Sequence, residues 1–200
     1  GLLGVLGVRR AHLVLHDFGG PWGLVWAAAH PDRVGSLTLI NTGVLLGYRW
    51  HLAARVWRTP VLGELAQAVS TRAGFRLMMD RANPKGLPPA FVDRMFDDYD
   101  AGTKRAVLRL YRATPDLGDA GRRLSAALRP HDLPTLVVWG AKDPFIGVEQ
   151  VERQRETFPD AEIVVLPGSG HWPFADDPER VAAAVLPFLR RVVGGSPGTA

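Results

Sequence analysis

Two hundred residues with a hydrophobic fraction of 46% suffice for one domain with a real core and an insertion. Cysteine is absent, which excludes disulfides, thiolate metal sites and a cysteine nucleophile. The formal net charge of +4 comes from scattered basic residues with no nucleic-acid motif, and no apolar run reaches membrane-spanning length or forms a signal peptide. The expectation is a globular, cytoplasmic protein with no nucleic-acid and no membrane partner.

The chain opens on Gly1 in mid-pattern. Leu2, Leu3, Val5, Leu6 and Val8 read as the end of a helix packing on a sheet, with the true N-terminus expected upstream. Residues 12–16 predict a buried strand, 21–30 a helix stopped near Pro31, and 34–40 a second buried strand ending in Asn41-Thr42-Gly43. Strand, helix, strand is a βαβ unit and implies a parallel sheet. From 44 to 130 no strand is convincing. Apolar and aromatic residues recur at helical spacing, punctuated by Pro60, Pro84, Pro88, Pro89 and Pro115. This predicts a helical insertion, read as a lid over the sheet edge where open α/β folds hold ligands. Strands resume at 134–140 and 162–166, with a helix at 148–157 between them. An amphipathic helix follows over 178–193, and a Gly/Ser/Pro-rich tail expected to be flexible over 194–200. The division is therefore a core of 1–43 and 131–193, a helical lid of 44–130, and the tail.

Asp17 ends the first strand and is followed by Gly19-Gly20 and the helix. A nucleophile elbow has this layout, with small residues around a strained apex. An Asp before two glycines is also an ordinary turn former or helix N-cap. Asp143 and His171 stand after the third and fourth strands. In a parallel sheet all three ends share one edge, in the order nucleophile, acid, histidine.

On these motifs the chain resembles the α/β-hydrolase fold. The stretches are His16-Asp17-Phe18-Gly19-Gly20, His30-Pro31-Asp32-Arg33-Val34, Trp139-Gly140-Ala141-Lys142-Asp143-Pro144 and Gly168-Ser169-Gly170-His171-Trp172-Pro173. More narrowly it is similar to the aspartate-nucleophile branch, the epoxide hydrolases and haloalkane dehalogenases. The expected fold is the C-terminal part of an α/β-hydrolase fold, a mostly parallel sheet with a helical lid insertion. The resemblance implies Asp17 as nucleophile, Asp143 as the acid of a triad and His171 as base.

The residue chemistry agrees. A carboxylate attacking an sp³ carbon displaces a leaving group and forms an alkyl-enzyme ester. A His-activated water then attacks the ester carbonyl, and the oxyanion needs backbone donors, one of them the N–H of Phe18. The second donor belongs to a loop after an earlier strand that the sequence does not contain. Half an oxyanion hole and an unpaired edge beside the first strand are therefore expected, and the chain alone is expected to be inactive and poorly soluble. Epoxide opening needs a proton donor. Epoxide hydrolases resemble one another in using lid tyrosines, and Leu110-Tyr111-Arg112 is placed for one; core packing is an equal reading of Tyr111. Neither Tyr48 nor Tyr99 matches the first lid tyrosine. Dehalogenases hold the halide with N–H donors, one an indole directly after the nucleophile, where this chain has Phe18. Trp50, Trp57 and Trp172 carry such a donor, although packing is their plainer role. Tyr111 and Trp172 are the expected substrate contacts. His16 supports the elbow, and His12, His30, His51 and His131 have no metal spacing, so neither metal nor organic cofactor is expected. The partners are a small apolar organic substrate, preferably an epoxide, and water. A haloalkane is the alternative, as is a non-catalytic or non-hydrolytic member of the fold. Oligomeric state stays open.

Overall fold

A computed structural model describes residues 1–114 and 116–194. Pro115 and the tail over 195–200 lie outside the described residues.

Four strands form one parallel sheet in the order β1-β2-β3-β4: Ala11–His16, Val34–Ile40, Thr135–Gly140 and Glu162–Leu166. β2 and β3 are inner strands buried on both faces, which is why they read as nearly continuous apolar runs. Register pairs Leu15 with Leu39, Ile40 with Val138 and Gly140 with Leu166. The C-terminal ends of all four strands therefore lie along one edge. β1 is hydrogen-bonded on one side only. Val14 on β1 is 54% exposed.

The sequence opens with one short exposed turn, α1 (Leu2–Val5), none of whose residues is buried. The expected packing of this segment on the sheet is not found: Leu2, Val5 and Leu6 are 73%, 86% and 63% exposed. Helix α2 (Gly19–Ala29) follows β1 and buries Leu24 and Ala27. Its Trp22 is 59% exposed. Six helices separate β2 from β3: α3 (Leu52–Arg58), α4 (Leu62–Ala68), α5 (Arg72–Ala82), α6 (Pro89–Asp97), α7 (Ala101–Ala113) and α8 (Leu117–Leu128). Their starts are local chemistry. His51, Thr71, Asp100 and Asp116 each accept a backbone N–H in the first turn of α3, α5, α7 and α8. Arg112 on α7 grips Glu64 with two hydrogen bonds of 2.7 and 2.8 Å, which ties α7 to α4.

Not all of this insertion stands apart from the core. Leu117 and Leu128 of α8 join the cluster of Leu24, Leu37 and Trp139, so α8 packs with α2 on one face of the sheet. A separate small core holds α5 and α6 together through Phe75, Met79, Leu87 and Val92, with Trp172 packed against it. After β3 the predicted helix at 148–157 is shorter, α9 (Gln150–Arg153) running into a single 3₁₀ turn through Glu156. After β4 come α10 (Pro173–Asp176) and α11 (Pro178–Gly194). α11 covers the other face of the sheet, with Val181 and Phe188 against Ile40, Leu136 and Val138. It includes Gly194, which the sequence division assigned to the tail. No helix among the described residues is long and apolar enough to cross a membrane.

Candidate active site

Asp17 sits at the apex between β1 and α2 with φ of 46°, a left-handed backbone that a non-glycine residue seldom adopts. Two contacts hold it there. The Asp17 carbonyl accepts the Gly20 N–H at 2.9 Å and the Thr42 hydroxyl at 2.7 Å. A Cβ on Gly20 would stand 1.9 Å from Thr42 Oγ1, so this glycine is required by close approach. Gly19 is different: a Cβ there meets nothing within 4 Å. The tightness expected around the apex thus resides in Gly20 alone. The Asp17 carboxylate makes no hydrogen bond among the described residues, and its side chain is 43% exposed.

Asp143 and His171 are the opposite case. Asp143 Oδ1 accepts the N–H groups of Phe145 (2.7 Å) and Ile146 (3.1 Å). Its Oδ2 accepts from Asn41 Nδ2 at 2.8 Å and pairs with His171 Nδ1 at 2.7 Å. Asn41, directly after β2 and itself at positive φ, also bonds the Gly140 backbone through its amide oxygen and nitrogen. The His171 ring is 2% exposed, and its Nε2 faces Asp17 Oδ2 across 3.9 Å. That gap exceeds hydrogen-bond length.

The main chain around His171 is also anchored. His171 donates its N–H to Ala82 O at 3.0 Å, and Trp172 donates to Asn83 Oδ1 at 2.8 Å. Asn83 is fully buried and its amide donates to Met79 O at 2.9 Å. His16 Nε2 donates to the His171 carbonyl at 2.8 Å. His16 therefore supports the histidine loop, more than the elbow to which the sequence reading assigned it.

The electrostatics follow from these neighbours. Burial alone would lower the His171 pKa, but the Asp143 and Asp17 carboxylates overcome it and raise it to about 9. Burial would raise the Asp17 pKa, and the nearby imidazoles, His171 foremost, bring it below the usual carboxylate value. His16 and His51 are lowered to about 4, chiefly by burial, and are neutral at pH 7. Burial, with the Asp17 charge adding to it, pushes the Tyr111 phenol well above its ordinary value.

These groups border one cavity of about 730 Å³ between the sheet edge and the inserted helices, within the usual range for a small-molecule site. Asp17, Phe18 and His171 line it from the core side, with Trp172 beside them. His51 and Tyr111 line it from α3 and α7. Phe18 starts α2, whose first amides have no acceptor within the helix; its ring packs on Trp50 and Tyr111 at 6.2 and 5.0 Å. Tyr111 has no hydrogen bond on its hydroxyl among the described residues; Arg58 holds its carbonyl and that of Thr114. His51 was not singled out by the sequence. Its Nδ1 accepts the Ala54 N–H, so the ring proton is on Nε2. Trp172 both lines the cavity and packs on the α5–α6 core. Among the described residues no group of three histidines and carboxylates is placed to hold a metal ion.

The comparisons with known proteins agree with this architecture. The family profile for the alpha/beta hydrolase fold matches residues 5–178. A 2-hydroxy-6-oxononadienedioate/2-hydroxy-6-oxononatrienedioate hydrolase of Burkholderia vietnamiensis is 28% identical over 200 residues, which are 96% of this chain and 66% of that protein. Haloalkane dehalogenase 2 of Mycobacterium bovis is 29% identical over 196 residues, 90% of this chain and 65% of its own length. The chain thus spans no more than two-thirds of either relative. Haloalkane dehalogenase DbeA of Bradyrhizobium elkani superposes with a TM-score of 0.79 at 21% identity, covering 98% of this chain and 72% of that one, a likeness of fold. With a profile that runs through both the elbow and the histidine loop, the chain belongs to the α/β-hydrolase-fold family.

Proposed function

We propose that this hydrolase opens epoxides, with Asp17 as nucleophile and His171 as the base that cleaves the resulting ester. The observation that carries this reading is the Asp17 carboxylate, free of hydrogen bonds, in one cavity with two neutral donors, Tyr111 and His51. In this reading His51 stands in for the first lid tyrosine, which the sequence does not match.

In the first step an Asp17 oxygen bonds to an epoxide carbon and the C–O bond breaks. The alkoxide takes a proton from Tyr111 or His51. The ester has no charge, so the carboxylate that helped raise the His171 pKa is gone. His171 then releases its proton to the depleted donor and becomes a neutral base. In the second step His171 takes a proton from water as the water oxygen attacks the Asp17 carbonyl carbon. The Phe18 N–H stabilises the oxyanion. Collapse breaks the bond to the substrate oxygen, which takes the remaining proton of the attacking water to complete the diol; this leaves the Asp17 carboxylate beside the charged His171.

A haloalkane is the second reading. The indoles of Trp50, Trp57 and Trp172 line the same cavity and are N–H donors of the kind a departing halide needs, although Phe18 directly after Asp17 is not one.

The test is intact mass of a His171→Gln variant, in the protein at its natural length, incubated with epoxides and haloalkanes. The expected result is a stable adduct on Asp17 equal to a whole epoxide. An adduct lacking its halogen would favour the second reading. Turnover by the unmutated protein with no adduct on the variant would exclude Asp17 as the covalent nucleophile.

A further inference from the structure

We infer that Gln67 and Tyr99 form a second recognition point, on the inserted-helix wall of the cavity, for a neutral carbonyl or hydroxyl oxygen that the substrate carries across an apolar segment from the carbon attacked by Asp17. The inference deepens the epoxide reading, and its kinetic arm rests on it.

Four buried side-chain polar atoms have no hydrogen-bond partner among the described residues: Thr38 Oγ1, Gln67 Nε2, Gln150 Oε1 and Asp176 Oδ1. Gln67 alone of these residues lines the large cavity. It lies on α4, 5% exposed, and a buried amide donor left unmatched is unfavourable unless something completes it. Tyr99, between α6 and α7, lines the cavity beside it. Burial raises the Tyr99 pKa, and the neighbouring Gln67 side chain moderates that rise. Two donors are thus grouped in a wall that also holds Ser70, Thr71, Phe75, Met78, Met79 and Met95.

The spot is remote from the reacting carboxylate. Among the described residues the Tyr99 ring packs on Phe75, with centroids 6.1 Å apart, and stands outside the ring cluster of Phe18, Trp50 and Tyr111 beside Asp17. No lysine or arginine lines the cavity, so a carboxylate tail would be buried unpaired. A neutral oxygen has no such penalty. Gln67 lines the cavity with its buried Nε2 unmatched, so an acceptor arriving there gains a hydrogen bond that the protein alone does not make.

Terminal epoxides of increasing chain length, each paired with an analogue carrying a ketone at the far end, test this in the protein at its natural length. At the chain length that spans the cavity, kcat/KM is expected to favour the keto epoxide about tenfold, the worth of one net hydrogen bond. In Gln67→Leu that ratio falls to about one, and in Tyr99→Phe it falls part of the way. A ratio unchanged in Gln67→Leu, or near one at every length in the unmutated protein, overturns the inference. If no epoxide is turned over, the epoxide reading fails, and the recognition point is judged by binding alone. Quenching of tryptophan fluorescence by unreactive ketones and matched hydrocarbons then decides it. A ketone preference lost in Gln67→Leu supports the point, and equal binding of the pair refutes it.

Discussion

The two ends of the proposed triad are built in opposite ways. At the acid–base end the carboxylate, the Nδ1 of the imidazole and the main chain around them are all hydrogen-bonded. The Asp143 carboxylate takes three hydrogen bonds besides the one to His171. The His171 main chain is held at its N–H by Ala82 and at its carbonyl by His16, and the next N–H is held by Asn83. At the nucleophile end only the backbone is hydrogen-bonded, and among the described residues the carboxylate meets His171 Nε2 at 3.9 Å without a hydrogen bond. The difference is chemical. A base must present one nitrogen to water in a fixed direction, and a misplacement of about 1 Å can lower a rate about a hundredfold. A nucleophile needs unshared lone pairs, so donors on Asp17 would compete with the reaction.

The largest expected effect breaks the acid–base end. A Cβ on Gly170 would lie 1.8 Å from Ala82 O, a backbone atom that cannot swing aside. Gly170→Ala should therefore push the histidine loop away from α5. A stability loss of about 3 kcal/mol, at the upper end for overpacking, is expected in denaturant unfolding. Hydrolysis of the alkyl-enzyme should slow about a hundredfold or more. Parent-like single-turnover rates in this variant would show that the loop position does not depend on its contact with α5.

The elbow should behave more leniently. The three atoms nearest to a Cβ on Gly20 all belong to the Thr42 side chain. Gly20→Ala should lose about 1–3 kcal/mol while Thr42 is present. Adding Thr42→Ala removes the obstruction, and the double variant should recover to within about 1 kcal/mol, the worth of the lost Thr42 hydrogen bond. Thermal unfolding of the two variants reads the rescue directly. No single side-chain deletion can rescue Gly170→Ala in the same way, since its obstacle is main chain.

This asymmetry also explains what the sequence disclosed. Asp17, Asp143 and His171 were legible because each follows a strongly apolar run, and a parallel sheet brings such ends to one edge. The partners that make the acid–base end rigid carry no such signal. Asn41 and Thr42 were visible only as polar residues at a strand end, and the contact of Asn41 with Asp143 spans about a hundred residues of sequence. Ala82, Asn83 and His51 belong to helices whose apolar spacing says that a face is buried without saying against what. The same ambiguity placed α8 in the lid when its Leu117 and Leu128 pack on the core. The orphan amide of Gln67 is invisible in principle, since it is defined by a partner that is missing.

The smallest expected effect sharpens the comparison through pH. His171, held at about 9, binds its proton more tightly folded than unfolded, where histidine titrates near 6.5. Its contribution to stability is full below about 6.5 and is lost as pH rises towards 9. His16 and His51, held at about 4, are neutral in the fold and take up protons more readily when unfolded. Their contribution is present above about 6.5 and is lost as pH falls towards 4. The three together predict a melting temperature that peaks near pH 7. Stability should fall by roughly 1 kcal/mol per pH unit on the alkaline side, and by a similar amount at first on the acid side. His16→Phe places another aromatic ring beside Phe174, the edge-on neighbour of His16, and removes one of the two acid-sensitive groups. It should flatten the acid limb and leave the alkaline limb, which belongs to His171, in place. An acid limb as steep as the parent's would mean that His16 keeps access to water in the fold, and that the His171 carbonyl is held less firmly than its 2.8 Å contact implies.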